Sequence, residues 1–334
     1  MIKAYAAFGA GGEIQPFEYE PGLLSTHEVE IAIEHCGICH SDLSMLHNEW
    51  GITQYPFVPG HEIIGTIKAK GAHVHNFQLG QRVGLGWHSG YCMTCHDCMS
   101  GDHNLCAQAE STIVNRHGGF ADRVRANAAS VVALPNSINA QTAGPLFCAG
   151  ITVFNPLLQF NIQPTAKVAV IGIGGLGHVA LQFLNAWGCQ VTAFTSSDDK
   201  KKEALALGAH QVLNSRNPAE LGAAKNQFDL ILSTVDVKLN WNAYIATLRP
   251  KGRLHFLGVI LESLDINLFP LISNQCSISG SPVGSPASLE TMLNFVVQHD
   301  IEPIVEVFRF DQINEALARL ASGKAKYRIV LSNQ

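Results

Sequence analysis

The sequence predicts an α/β chain of two domains, one mostly-β and the other a doubly wound parallel sheet. Three observations predict it. At 334 residues the chain exceeds one ordinary core. Its first 135 or so residues are short β-type runs broken by Gly, Pro and Cys/His-rich loops. From about Pro145 apolar strands alternate with helical stretches, as βαβ units do.

In the first stretch, strands are expected over 27–34, 63–69, 81–87, 119–124 and 130–133, with few segments of helical period. In the second, strands over 167–171, 190–194, 229–233 and 253–257 alternate with helices over 176–187 and 200–207. A strand over 277–281 then leads to a helix over 288–299, and a strand over 302–308 and a helix over 311–322 close the chain. No repeat, low-complexity tract or long linker intervenes, and a cleft between the two textures is the expected place for a site.

Hydrophobic residues make up 47% of the chain and charged ones 15%, a globular profile and not a disordered one. The net charge of −5 is mild and suggests neither a nucleic-acid nor a membrane-surface partner, both of which want an excess of clustered Lys/Arg. No apolar run approaches the ~20 residues that span a bilayer. The opening MIKAYAAFGAGGE lacks a signal-peptide core, so a cytoplasmic location is expected. There the nine cysteines are thiols or metal ligands before they are disulfides.

Cys92, Cys95, Cys98 and Cys106 form C-x-x-C-x-x-C-x7-C. Four soft thiolates on short spacers let one loop wrap a tetrahedral zinc. Closed coordination leaves no open position, so such an ion is structural. An iron–sulfur cluster is the alternative use of the same thiolates, and a reduced cysteine-rich loop is the bland one.

Gly172-Ile173-Gly174-Gly175-Leu176-Gly177 follows an apolar strand and opens a helix. Glycines there allow a tight turn and close backbone approach, with the helix N-terminus facing a pyrophosphate. An NAD site would carry an acid about twenty residues on. Here Thr195 stands at the strand end, followed by Ser196, Ser197, Asp198, Asp199 and Lys200. Without a carboxylate the hydroxyls and Lys200 can receive a 2′-phosphate, which favours NADP(H). Asp198 or Asp199 turned toward the ribose would favour NAD(H) instead.

Two further motifs, Cys36-Gly37-Ile38-Cys39-His40-Ser41-Asp42 and Pro59-Gly60-His61-Glu62, are weak alone, since a lone Cys is usually a small core residue. With 147–152 (Phe-Cys-Ala-Gly-Ile-Thr) and the four-cysteine loop added, nearly the whole chain resembles the medium-chain zinc alcohol dehydrogenase family. The cofactor segment is similar to its NADP-preferring, cinnamyl-alcohol-dehydrogenase-like branch. The resemblance implies a GroES-like domain of residues 1–148 and 284–334 and a Rossmann domain of residues 149–283. It implies two zinc ions per chain. Cys39, His61 and Cys148 match the catalytic-zinc ligands, and Glu62 matches an acid that approaches the metal during exchange. Asp42 matches the carboxylate that orients the ligand His. Cys36, Cys189 and Cys276 match no ligand position and are expected to pack in the core.

By the same resemblance, Ser41 and Thr152 belong beside the nicotinamide, and His40 near the pyrophosphate. Thr234, Gly258, Ser281, Pro282 and Val283 belong along the cofactor channel. The implied chemistry interconverts primary alcohols and aldehydes by hydride transfer, with Ser41 passing the alcohol proton onward. A His that often continues this relay three residues later is Ser44 here, and His47 is a nearby substitute or a surface residue. Trp50 and Trp87 fall at pocket-wall positions, which implies aryl, allylic or medium-length substrates; core packing is the other reading. A homo-oligomer, dimer or tetramer, is expected. The rival functions are a zinc-free quinone reductase of the same superfamily and a fold retained without turnover; the intact ligand set disfavours both.

Overall fold

The computed structural model describes residues 1–196 and 199–333, with Asp199 in its backbone only. The chain divides into two compact units, Met1–Ile151 with Val283–Gln334, and Thr152–Pro282. Among the described residues no helix is long and apolar enough to cross a membrane.

In the first unit, β1 (Ile2–Ala6) pairs antiparallel with β2 (Gln15–Tyr19). Then come β3 (Glu28–Ile38), β4 (Glu62–Lys70) and β5 (Arg82–Leu85), paired antiparallel in that order. β6 (His88–Gly90) and β7 (Glu110–Ser111) form a small ladder, β8 (Arg123–Asn127) joins β3, and β9 (Val131–Ala133) joins β5. The strand expected over 119–124 begins instead at Arg123. Upstream, the N–H groups of Gly118, Gly119 and Phe120 donate to the carbonyls of Val58, Gly60 and Pro59, which takes them out of the ladder. An unexpected helix, His40–Leu46, follows β3. Its N-cap is Cys39, whose backbone N–H donates to Asp42 Oδ2 at 2.8 Å. This is a capping box with Cys where Ser or Thr is usual, which is why the sequence pattern hides it.

The second unit holds β10 (Lys167–Ile171), β11 (Gln190–Thr195), β12 (Gln211–Asn214), β13 (Phe228–Ser233), β14 (Leu248–Phe256) and β15 (Ser277–Gly280). All pair parallel in the order β12-β11-β10-β13-β14-β15. The central strands are apolar runs buried on both faces, as a parallel sheet requires. Phe194, Phe228, Trp241 and Tyr244 pack together on one side. The order reverses between β10 and β13, so their carboxyl ends form a topological switch point. From β10 the chain turns through the glycines into the helix Gly177–Trp187, which Gly188 ends in the left-handed region (φ 98).

Back in the first unit, Ser285 caps the helix Pro286–His299, with Pro286 in the first turn. β16 (Val305–Arg309) and β17 (Arg328–Ser332) pair parallel, and β17 pairs antiparallel with β3. The large sheet thus runs β16-β17-β3-β4-β5-β9, with β8 also on β3. β17 corrects the expectation that a strand and a helix close the chain: all its side chains are buried, so it shows no alternation to read.

Candidate active site

Cys39, at the end of β3, and His61, just before β4, meet Cys148, which follows a short 3-10 turn. One ligand atom from each of these three and from Glu62 lies within 4.8 Å of all the others, and all four residues are buried. Cys39 Sγ is 3.8 Å from Cys148 Sγ, and His61 Nε2 is 3.3 Å from Cys148 Sγ. A tetrahedral zinc with ordinary bond lengths separates two sulfurs by about 3.8 Å and a sulfur from a nitrogen by about 3.6 Å. The donor set therefore fits that ion.

Asp42 organises the cluster. Its Oδ2 takes the Cys39 N–H, while its Oδ1 takes the Gly60 N–H at 2.9 Å and faces His61 Nδ1 at 3.1 Å. That turns Nε2 inward to the sulfurs. Gly60 sits at φ 98, and a side chain there would strike Phe120 and Cys36 Sγ.

Burial pushes His61 down, but the Asp42 carboxylate and Cys39 outweigh it and hold the imidazole well above its ordinary value. The hydrogen bond with Cys148, together with Arg328 and His61, draws the Cys39 thiol well below its ordinary value against the effect of burial. The same bond and burial push Cys148 well up. Glu62 is raised by burial and pulled back by Arg328. Arg328 on β17 pairs with Glu62 Oε1, and both side chains are buried. Glu62 Oε2 has no hydrogen-bond partner among the described residues. Oε2 lies against Gly37, and a carboxylate oxygen of Glu62 shares the cluster with two sulfurs and an imidazole, a donor set that suits a cation. Arg328 was missed from sequence; its one signal is an arginine opening the apolar run Ile329-Val330-Leu331.

The other expected residues of this unit distribute as follows. Ser41, half-buried, has its Oγ 3.7 Å from Cys39 Sγ. Trp87 stands edge-on to His61 with centroids 5.1 Å apart, and Trp50 is edge-on to Trp87 at 6.1 Å. Both indoles are partly buried and packed on the core, Trp87 beside the cluster and Trp50 behind it. His40 is exposed and Ser44 is buried. His47 is the exposed C-cap of the helix His40–Leu46, with its ring beside Gly11. Cys36 and Cys189 are core residues, but Cys276 is only half-buried.

Cys92, Cys95, Cys98 and Cys106 converge separately, also within 4.8 Å. Cys92 Sγ is 3.9 Å from Cys98 Sγ and 3.5 Å from Cys106 Sγ. The Cys95 N–H donates to Cys92 Sγ and the Cys98 N–H to Cys95 Sγ, the backbone wrapping the sulfurs. N–H groups of Thr94 and Cys95 bring the Cys92 thiol down to about 6, while burial and neighbouring thiols raise Cys98 to about 12. Four sulfurs at tetrahedral spacing fit a closed zinc site.

In the second unit the turn after β10 has Gly172 at φ 86, and a side chain on Gly177 would meet the Gly172 carbonyl. A Cβ on Gly174 would meet nothing within 4 Å, so open space lies over the turn, as a pyrophosphate would need. Ile173 is buried, Gly175 and Leu176 half-buried. Thr234 Oγ1 donates to the carbonyls of Ile171 and Gly172 at 3.0 and 2.8 Å, tying β13's end to the turn. Lys200 Nζ donates to the Ile173 carbonyl at 3.3 Å. Thr195 is buried at the end of β11 and Ser196 exposed; Ser197 and Asp198 lie outside the described residues, as does the Asp199 side chain. Gly258 leaves no room for a side chain against the Val235 backbone. Ser281 Oγ lies 3.0 Å from His255 Nε2. Thr152 is buried, Pro282 exposed and Val283 half-buried.

Residues 25–136 match the family described as the alcohol dehydrogenase GroES-like domain, and residues 175–298 match the zinc-binding dehydrogenase family. The chain is 64% identical over 333 residues to an aldehyde reductase of Synechocystis sp., covering 100% of this chain and 99% of that one. A cinnamyl alcohol dehydrogenase from Sorghum bicolor shares 34% identity and a TM-score of 0.95, over 99% of this chain and 97% of that one. A cinnamyl alcohol dehydrogenase from Helicobacter pylori, solved in complex with NADP(H), shares 28% identity and a TM-score of 0.91 over the same shares. The two convergent ligand sets, the glycine turn and this full-length likeness make the chain a member of the zinc-containing medium-chain alcohol dehydrogenase family, an alcohol and aldehyde oxidoreductase of its cinnamyl-alcohol-dehydrogenase-like branch.

Proposed function

We propose that this enzyme interconverts aryl or allylic aldehydes and their primary alcohols with NADP(H), using one catalytic and one structural zinc. The observation that carries the reading is the convergence of Cys39, His61 and Cys148 beside the buried Glu62 carboxyl. When bound, the catalytic zinc supplies Lewis-acid polarisation of the substrate oxygen and the nicotinamide supplies hydride. The Cys39 and Cys148 sulfurs and the His61 imidazole would hold the ion, the three-ligand set of a catalytic zinc site. Asp42 fixes the His61 ring through Nδ1, so that Nε2 is the ligand atom. The Ser41 hydroxyl gives the alcohol oxygen its proton on reduction and takes it on oxidation. Arg328 pairs with Glu62 through Oε1 and holds the carboxyl beside the three ligands, where it would be a further oxygen donor to the ion. Trp87 and Trp50 offer flat apolar walls to a conjugated substrate. Cys92, Cys95, Cys98 and Cys106 hold the second ion and take no part in chemistry. A reducing cytoplasm suits this set of thiolates, and all nine cysteines are free.

The NADP(H) preference is supported by Lys200 at the glycine turn and by Thr195 where NAD sites place an acid. The H. pylori protein was itself solved with NADP(H). The test is a panel of benzaldehyde, cinnamaldehyde and short aliphatic aldehydes run with NADPH and NADH, on protein assayed for zinc. Two zinc ions per chain and a higher kcat/KM with NADPH are expected. Lys200→Ala should then raise the KM for NADPH about tenfold or more and spare NADH, because a charge-assisted hydrogen bond is worth about 1.5–3 kcal/mol. Equal efficiency with both cofactors would point to Asp198 or Asp199 on the ribose. Activity with one zinc or fewer per chain would remove the two-site reading.

The oligomer expected from sequence takes the form of a dimer through β15. That strand is at the sheet edge, and the chain before it exposes Val259, Leu261, Leu268, Phe269 and Ile272. An unpaired edge flanked by apolar side chains is covered most simply by its own symmetry copy.

A further inference from the structure

We propose that the amino-terminal edge of the second unit's parallel sheet carries an anion site for a polyphosphate group, free or borne by a nucleotide, built on Arg249, Lys251 and Arg253. A cavity of about 600 Å³ opens there, between the end of the helix Ala149–Gln159 and the starts of β10, β13 and β14. That volume is in the range that takes a small organic ligand. The glycine turn follows the other end of β10, about 15 Å away at the ordinary rise per residue, so the cavity is separate from it.

Three cations and one acid line the cavity. Asp229 is engaged by Arg249 at 2.5 Å and by the Lys167 N–H at 2.8 Å, which leaves two of the lining cations without a carboxylate among the described residues. The Arg253 guanidinium carbon lies 4.0 Å from the centroid of the Phe160 ring, and both side chains line the cavity, so the cation is steadied by an aromatic face that takes up none of its N–H groups. Lys251 follows Pro250 and sits at φ 67, where glycine is the favoured residue. Amide side chains of Gln159, Asn161 and Gln163 complete the polar rim. Two unneutralised cations, one of them an arginine fork on an aromatic face, suit multivalent phosphate oxygens better than a monovalent carboxylate.

The probes are tripolyphosphate and ATP, titrated calorimetrically into zinc-loaded protein saturated with NADPH, so that the glycine turn is already filled. One saturable site per chain is expected, with affinity reduced on the order of tenfold in Lys251→Gly and in Arg253→Gln. It should be unaltered in Lys200→Ala. Glycine adopts the same backbone conformation without strain, so Lys251→Gly should leave the melting temperature about where it is, and weaker binding in that variant is then not a folding defect. Equal affinity for both probes assigns free polyphosphate, and tighter ATP binding assigns a nucleotide. No saturable binding, or binding that both cavity variants retain, overturns the proposal. If NADPH itself fails to bind, the cofactor reading has failed, and the same titration without it still decides this one.

Discussion

Asp42 governs more of the site than any ligand does, because one carboxylate meets the Cys39 and Gly60 N–H groups and His61 Nδ1. An asparagine has one accepting oxygen and must turn its NH2 toward one of these donors. Asp42→Asn should therefore weaken zinc binding at the Cys39–His61–Cys148 site by about 10–100-fold, read by competition with a chelator, and lower kcat/KM with it. Unchanged zinc affinity would mean that His61 needs no second partner. At this scale Cys39, His61 and Cys148 were weak signals one by one and were expected together only through the family resemblance; the structure brings their ligand atoms within 4.8 Å. Arg328 was not expected, since its role depends on a strand 266 residues after Glu62 in sequence.

Glu30 shows how an element is stitched. It lies on β3, 6% exposed, and takes Arg125 at 2.8 Å and Arg123 at 3.1 Å, both from β8. Burial alone would raise its carboxyl, but the two guanidinium hydrogen bonds hold it below the ordinary value of 4.5. A depressed carboxylate contributes stability that is present above the unfolded pKa and lost as pH falls through the folded one. Glu30→Gln should cost about 2 kcal/mol at neutral pH, and the gap from the parent should close at pH values below 4.5 in denaturant titrations. A gap constant with pH would assign the loss to packing instead. The four-cysteine loop would be held in another way, by the second zinc proposed above. Cys95→Ser should remove one zinc and, if it costs about 3 kcal/mol, lower the melting temperature by roughly 10 °C. Loss of zinc without any fall in melting temperature would deny that ion a structural role. The βαβ elements were legible because apolar runs and helical period alternate cleanly. The helix His40–Leu46 and β17 were not, one hidden by a cysteine cap and the other by burial of every side chain.

For the whole molecule, the fold class followed from two textures of sequence, whereas the return of residues 284–334 to the first domain was expected only from the family resemblance, and the strand β17 that completes its sheet was not expected at all. Strand pairing between residues 36 and 331 leaves no local trace. The exposed stretch before β15 has its own consequence for assembly. Phe269, 74% exposed, and Ile272, 75% exposed, contribute nothing to a lone chain's core. The double change Phe269→Glu with Ile272→Glu should leave the fold intact and shift light-scattering mass toward one chain. A parent protein already of one-chain mass would end the dimer proposal.

The discontinuity of the first unit also sets an order of events during synthesis. Residues 152–282 emerge as one uninterrupted stretch and can fold while the ribosome is still at work. Cys39, His61 and Cys148 emerge earlier still, but β17 is made last of the sheet and brings Arg328 with it. Until then Glu62 is a carboxylate without its guanidinium, and β3 has an open edge. The nascent chain thus keeps an edge of β3 open to mispairing until β17 is made, an interval in which residues 152–282 are already free to fold.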